Sequence, residues 1–132
     1  MTNHRLIYED LSRSVIGAFY EVYNTLGFGF LESVYVKALE RELELRGHQF
    51  SRDVSVYVMY KGESLVTQRI DMIVDSKLVV EVKSTRQLHP SALRQAHNYV
   101  RATNLEIALL LHFGPAPAFH RLISKNRRIR FE

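Results

Sequence analysis

At 132 residues, 46% hydrophobic and 24% charged, the chain has the size and balance of one globular domain spanning 1–132. It contains no cysteine, which excludes disulfides and thiolate metal sites and leaves oxygen and imidazole as the ligands available to an ion. The net charge is +4, and the bases are concentrated late: up to Phe50 seven acids face five bases, and from Ser51 onward seven face thirteen, ending in Lys125, Arg127, Arg128 and Arg130. A field of that sign draws polyanions such as nucleic acid.

Tyr8 to Leu26 carries apolar residues at helical spacing (Leu11, Val15, Ala18, Phe19, Val22, Leu26), and Gly27-Phe28-Gly29 predicts its end. A second helix is predicted over Leu31 to Arg46, with Leu31, Val34, Tyr35, Ala38 and Leu39 inward, Lys37, Glu40, Arg41 and Glu44 outward, and Gly47 as its stop. The period then changes. Val54, Val56, Val58 and Tyr60 alternate as a half-buried strand does, and Lys61-Gly62-Glu63 reads as a turn. Leu65 to Val74 predicts a second strand with Ile70, Met72 and Val74 on one face, and Asp75-Ser76-Lys77 a second turn. Leu78 to Lys83 follows as a third strand. Pro90 suits the first turn of a helix running to about Ala102. Leu105 to Phe113 reads as a buried strand, and Phe119 to Ile123 as an edge strand. The sum is an α/β fold: one central mixed sheet flanked by helices. No stretch reaches the ~18 apolar residues of a membrane span, and Met1 to Asp10 lacks the apolar run of a signal peptide. The expectation is a cytoplasmic protein with no membrane partner.

Asp71 and Glu81 interrupt apolar strand runs. A buried carboxylate without a partner costs several kcal/mol, so each needs a cation or hydrogen bonds. Glu81 and Lys83, two apart on a strand, share a face, and pairing through the 75–77 turn brings Asp71 near them. Two carboxylates with a backbone carbonyl, that of Val82, suit a hard divalent ion completed by water. Lys83 then serves the attacking water or the scissile phosphate. The competing reading is a cross-strand ion-pair cluster on a solvated face. An acid-x-Lys pattern is weak alone: Asp75-Ser76-Lys77 is a second copy, assigned to a turn. Two helical pairs add weight. Glu32 and Tyr35 are three apart, and Gln95 and Tyr99 four apart, so each pair shares a face. Against this, both tyrosines read equally as core residues and Glu32 as a local cap. The six histidines form no spaced ligand set, and His112 reads as a structural residue at a strand end.

With these motifs in order, the sequence resembles the GxxExxY proteins, a branch of the PD-(D/E)XK nuclease superfamily. The resemblance rests on Gly29-Phe30-Leu31-Glu32-Ser33-Val34-Tyr35, Leu26-Gly27-Phe28-Gly29, Tyr60-Lys61-Gly62, Arg69-Ile70-Asp71, Glu81-Val82-Lys83, Gln95 with Tyr99, and the Leu110-to-Gly114 strand end. It runs from about Ile16 to Arg121. It implies the restriction-endonuclease-like fold and a catalytic set of Asp71, Glu81, Lys83, Glu32, Gln95 and Tyr99. It also implies magnesium or manganese at Asp71, Glu81, Val82 and Glu32, and a DNA substrate. Arg94, Arg101 and Tyr35 are the expected nucleic-acid contacts. Two positions depart from the family pattern: Ala92 stands where a histidine is usual, and His112-Phe113-Gly114 where Asn-Phe-Gly is usual. The expected function is metal-dependent phosphodiester hydrolysis, and the alternative is an inactive nucleic-acid-binding or protein-interaction module on the same fold. A domain this small leaves room for a homo-oligomer or a protein partner to complete recognition.

Overall fold

The structure is a computed structural model and describes residues 4–124; the basic residues Lys125, Arg127, Arg128 and Arg130 lie outside them. The chain runs α1 (His4–Leu26), α2 (Glu32–Leu45), β1 (Phe50–Tyr60), β2 (Glu63–Val74), β3 (Leu78–Lys83), α3 (Pro90–Thr103), β4 (Ile107–Phe113) and β5 (Pro117–Ile123). The five strands lie in the order β1-β2-β3-β4-β5. Neighbours are antiparallel except β3 and β4, which run parallel, from Leu78 opposite Ile107 to Lys83 opposite His112. A parallel pair needs a crossover, and α3 supplies it.

Local chemistry explains the breaks. Gly27 ends α1 in the left-handed region (φ 71°), and its N–H still reaches the Tyr23 carbonyl. Lys61-Gly62 adopts positive φ at both residues, the geometry that a two-residue hairpin turn demands, and Asp75-Ser76 does the same within the three-residue 75–77 turn. His89 caps α3 by accepting the Ser91 N–H, with Pro90 in the first turn.

Both faces of the sheet centre are covered, which is why β3 and β4 are mostly apolar, with Glu81 and His112 as their buried polar exceptions. One face carries Met72, Val74, Leu78, Val80, Val82, Leu109, Leu111 and Phe113 against Val15, Phe19 and Val22 of α1 and Tyr35, Leu39 and Leu43 of α2. The other carries Val56, Ile70, Val79 and Ala108 against Tyr99 and Val100 of α3. Phe113 is the aromatic hub of the first layer: Tyr35 stacks on it at 4.1 Å between ring centres, and Phe19 meets it edge-on at 4.8 Å.

Four inward or outward assignments made from periodicity are corrected. Leu31 and Val34 are exposed, because the chain enters α2 at its N-terminus beyond the rim of the sheet. Glu40 is buried rather than outward, and Arg52 of β1 neutralises it at 3.1 Å. Ile70 does not share a face with Met72 and Val74, since it packs beneath α3 while they pack beneath α1 and α2. The face changes at Asp71. Opposite it on β1 stands Asp53, bracketed by the pairs Arg52–Met72 and Val54–Ile70, with φ at 49°. Left-handed backbone costs a non-glycine residue about 1–2 kcal/mol, least for Asn and Asp.

The Asp75-Ser76-Lys77 copy of the acid-x-Lys pattern is a turn, and its acid has structural work. Asp75 Oδ2 lies 2.7 Å from His48 Nδ1, Oδ1 accepts the Gln49 N–H at 2.9 Å, and His48 Nε2 is 2.7 Å from Ser14 Oγ. Burial pushes the Asp75 carboxyl up, but the His48 and Gln49 hydrogen bonds outweigh it and hold the group below its usual range. This chain of contacts fastens α1, the α2–β1 loop and the β2–β3 turn together.

Candidate active site

The hydrogen-bonded ladder between β2 and β3 ends at Met72 opposite Val80. One residue further on, side chains replace the main chain. The Asp71 N–H donates to Glu81 Oε2 at 2.9 Å, and the Val82 N–H donates to Asp71 Oδ2 at 2.8 Å. Each acid thereby satisfies the strand opposite it and holds the other in place. Each also keeps a second oxygen, Asp71 Oδ1 and Glu81 Oε1, without a hydrogen-bond partner among the described residues.

The electrostatics follow from that closeness. Glu81 is 4% exposed. Burial, then the charge of Asp71, pushes its carboxyl up to about 8; the Asp71 N–H and Lys83 only partly offset this, and Glu32 adds to it. Asp71 is raised by burial and by Asp53, against the Val82 N–H and Lys83. Glu32, in the first turn of α2, is exposed as a residue, yet its carboxyl end meets the site. Partial burial and Asp71 raise it, while Lys83 and the Ser84 N–H lower it. Tyr99 reaches the same place from α3: burial raises its phenol, and the charges of Glu81 and Asp71 raise it further. Lys83 is thus one ammonium set against the carboxylates of Glu32, Asp71 and Glu81.

A groove of about 440 Å³ opens on this cluster between α2 and β1–β2, lined by Glu32, Lys37, Glu40, Arg52, Asp53 and Asp71. A larger cleft of about 790 Å³ lies between β1 and the end of α3, but no carboxylate or basic side chain lines it. Of the two, the smaller groove is the one lined by ionisable side chains.

The structure brings Asp71, Glu81, Lys83, Glu32 and Tyr99 together, and places the Val82 backbone at the centre of the set through its N–H. Gln95 is half-buried one turn before Tyr99, and no hydrogen bond joins it to the acids among the described residues. Arg94 is exposed on α3; Arg101 is half-buried in its last turn, where a cation complements the helix dipole. Tyr35 is not a nucleic-acid contact. Its ring is fully buried against Phe113, and its hydroxyl donates to the Gly27 carbonyl and accepts the Phe30 N–H at 3.2 Å. Tyr35→Phe is expected to cost roughly 1–2 kcal/mol in chemical denaturation, through the polar groups of the 27–30 loop it leaves unpaired. An unchanged midpoint would show that loop to be supported by other means. Among the described residues no three acids or histidines are placed to hold one ion by themselves, so Asp71, Glu81 and Glu32 do not form a ready-made three-carboxylate set. Asp53 and Ser84 belong to the site and escape the sequence patterns. The one visible signal for Asp53 is a lone acid before the alternation of Val54, Val56 and Val58; Ser84 offers none.

His112 is buried at the end of β4, with Nε2 2.7 Å from the Thr85 carbonyl oxygen and 3.1 Å from its hydroxyl. It pins the segment that follows Lys83. Gly114 has no side chain because a Cβ there would come within 2.8 Å of that ring.

Reciprocal acids at the parting of two strands, with a lysine two residues beyond, on a mixed sheet covered by helices, define an α/β domain of the restriction-endonuclease-like class. A family model described as the PD-(D/E)XK nuclease superfamily matches residues 9–123, and the chain belongs to that superfamily. Its members are generally nucleases that use divalent metals such as Mg2+. A crystal structure of the protein SSO0001 shares the fold with a TM-score of 0.55 at 18% identity, covering 96% of this chain and 64% of that one. This chain therefore spans under two thirds of that protein's length. No curated protein shows a significant match. No helix among the described residues is long and apolar enough to cross a membrane.

Proposed function

We propose that the protein is a divalent-metal-dependent nuclease of the GxxExxY branch, hydrolysing phosphodiester bonds in DNA in the cytoplasm. The observation that carries this reading is the acid pair. Asp71 and Glu81 are locked together by two backbone hydrogen bonds, each keeps one oxygen without a described partner, and Lys83 is the cation set against them and Glu32. An uncompensated cluster of this kind is costly unless a cation is supplied, and all-oxygen donors fit Mg2+ or Mn2+. Asp71 and Glu81 would hold the ion, with water and main chain completing its shell. Bound there, it would supply Lewis-acid stabilisation of the charge that grows on the phosphate.

The protein's own groups do the rest. The Lys83 ammonium neutralises a phosphate oxygen and orients the attacking water. Water adds to phosphorus, its proton passes to a base, the opposite P–O ester bond breaks, and the leaving oxygen takes a proton from solvent to depart as a hydroxyl. Glu32 is the reading's base: it sits at the rim beside Lys83 and Asp71, and its raised carboxyl suits proton transfer. Tyr99 comes from α3 near enough for the charges of the pair to act on its phenol, and it closes that side of the site. Lys37 on the groove wall offers a cation to the strand beside the cut.

Purified protein incubated with labelled single- and double-stranded DNA, with Mn2+ and with chelator, tests this. Cleavage that needs the ion and disappears in Lys83→Ala supports it. Cleavage that survives Glu81→Ala and Lys83→Ala together sinks it, and metal-independent DNA binding with no cleavage would favour a binding module instead.

A further inference from the structure

We propose that the corner between α1 and α2 is a base-stacking platform, so that the nucleic acid taken by this site presents unpaired bases beside the phosphate to be cut. The inference rests on the nuclease reading and adds the form of its substrate. Phe28, Phe30, Leu31 and Val34 are 38%, 46%, 77% and 36% exposed, four large apolar side chains within seven residues. Single exposed apolar residues need no explanation, but a contiguous group does. This group surrounds Glu32 in the sequence and adjoins the acid cluster.

The corner is held from behind. The Tyr35 hydroxyl bonds to Gly27 and Phe30 on its two sides, and Phe30 packs edge-on against the Tyr35 ring. Ser84 Oγ donates to the Phe30 carbonyl at 2.6 Å, and the Ser84 N–H serves the Glu32 carboxylate. Ser84 directly follows Lys83, so the rings are fastened to the same strand end that carries the lysine. The Arg86 guanidinium lies 5.8 Å over the Phe28 ring. Aromatic faces with an arginine beside them are what bases stack on, and the pairing tolerates any base because each has a π-face. A protein partner would be served by the apolar groups alone. The arginine on the ring, and the continuity with a phosphate-handling site, favour nucleic acid. Inside a duplex the base faces are already stacked on one another, so a ring reaches one only at a single strand, an overhang or a frayed end.

The test uses the full chain in EDTA, so that binding is read without cleavage. A single-stranded oligonucleotide carrying 2-aminopurine, and the blunt duplex of the same sequence, are titrated against wild-type protein, Phe28→Ala/Phe30→Ala and Phe28→Tyr/Phe30→Tyr. The double alanine variant is expected to lose single-strand affinity by roughly 10–100-fold and with it the 2-aminopurine quenching, while its duplex affinity stays within about twofold. The tyrosine variant should retain both. Thermal melting checks that the exposed substitutions leave the fold intact. Single-strand affinity untouched by the alanines overturns the platform alone. So does an equal loss for both strand forms, or a change in sedimentation showing that the patch joins two copies of the chain. A wild-type protein that binds neither strand form also overturns the platform, whereas the nuclease reading stands or falls on the Mn2+-dependent cleavage described above.

Discussion

Asp71→Asn is expected to lower the rate of phosphodiester cleavage by roughly 10²–10³-fold or more while leaving the strands in register. The amide keeps an oxygen to accept the Val82 N–H, so the link across the parting strands survives. What disappears is one of the two anionic donors available to an ion, and with it the electrostatic stabilisation of the transition state, where single groups are worth factors of this size. Single-turnover cleavage with Mn2+ measures the effect, and manganese titration calorimetry should lose its binding heat in the same variant. A variant that cuts at the wild-type rate would place the chemistry elsewhere. A second expectation separates charge from packing: Asp71→Asn should melt at a higher temperature than wild type without metal, because it replaces a carboxylate that burial disfavours with a neutral amide.

Without metal, stability should fall as pH rises from about 4.5 to about 8. The Glu81 carboxyl is raised from its ordinary 4.5 to about 8 in the folded protein. Below 4.5 it is neutral in both folded and unfolded chains. Between the two values the unfolded chain ionises while the native state holds its proton, so the native state binds more protons and loses ground with rising pH. Above about 8 both states are ionised and the slope vanishes. The upward shifts of Asp71 and Glu32 act in the same direction. Asp75 acts in the opposite one: its lowered carboxyl stabilises the fold above its ordinary value, and that contribution is lost as the solution is acidified through the lowered one. The metal-free optimum should therefore lie in mildly acid solution. Urea denaturation across pH measures this, with a fall on the order of a few kcal/mol from Glu81. Glu81→Gln should flatten most of it. Manganese should do the same in wild-type protein and bind more tightly as pH rises, since it competes with the proton for Glu81. A wild-type profile that is flat between pH 5 and 8 would mean the Glu81 carboxyl is ionised in the native state.

The sequence carried the elements well where period and punctuation agreed. β3 runs from Leu78 to Lys83, as its apolar run predicts, and α3 begins at Pro90 as proline in a first turn predicts. The acid pair was legible too, because a carboxylate amid apolar strand residues has few inexpensive explanations. What periodicity missed lies where an element stops being regular. Counting by twos assumes an unbroken strand, so it put Ile70 with Met72 and could not show the change of face at Asp71. Counting by threes and fours put Leu31 and Val34 inside, although α2 starts beyond the sheet with no layer to cover that turn. Glu40 turns inward because Arg52, twelve residues later on another element, meets it, and no local pattern encodes that. Tyr35 was visible as part of a motif, but its task of bracing a loop from a buried position depends on Phe113, nearly eighty residues away in the chain.

The order in which the site can assemble follows from the reciprocal Asp71–Glu81 link. That contact closes a loop of ten residues, and the turn beneath it is built from Asp75 and Ser76 already bent into the left-handed region. Short loops are inexpensive to close, whereas docking Glu32, some fifty residues before Glu81, must wait for α2 to reach the sheet. The β3–β4 pairing waits in turn for the α3 crossover. During refolding the amides of Asp71 and Val82 should accordingly gain protection from exchange before those of β4, which pulse-labelled hydrogen exchange would resolve. The acid pair would then be among the first groups to find its place, with the helices that frame it arriving afterwards.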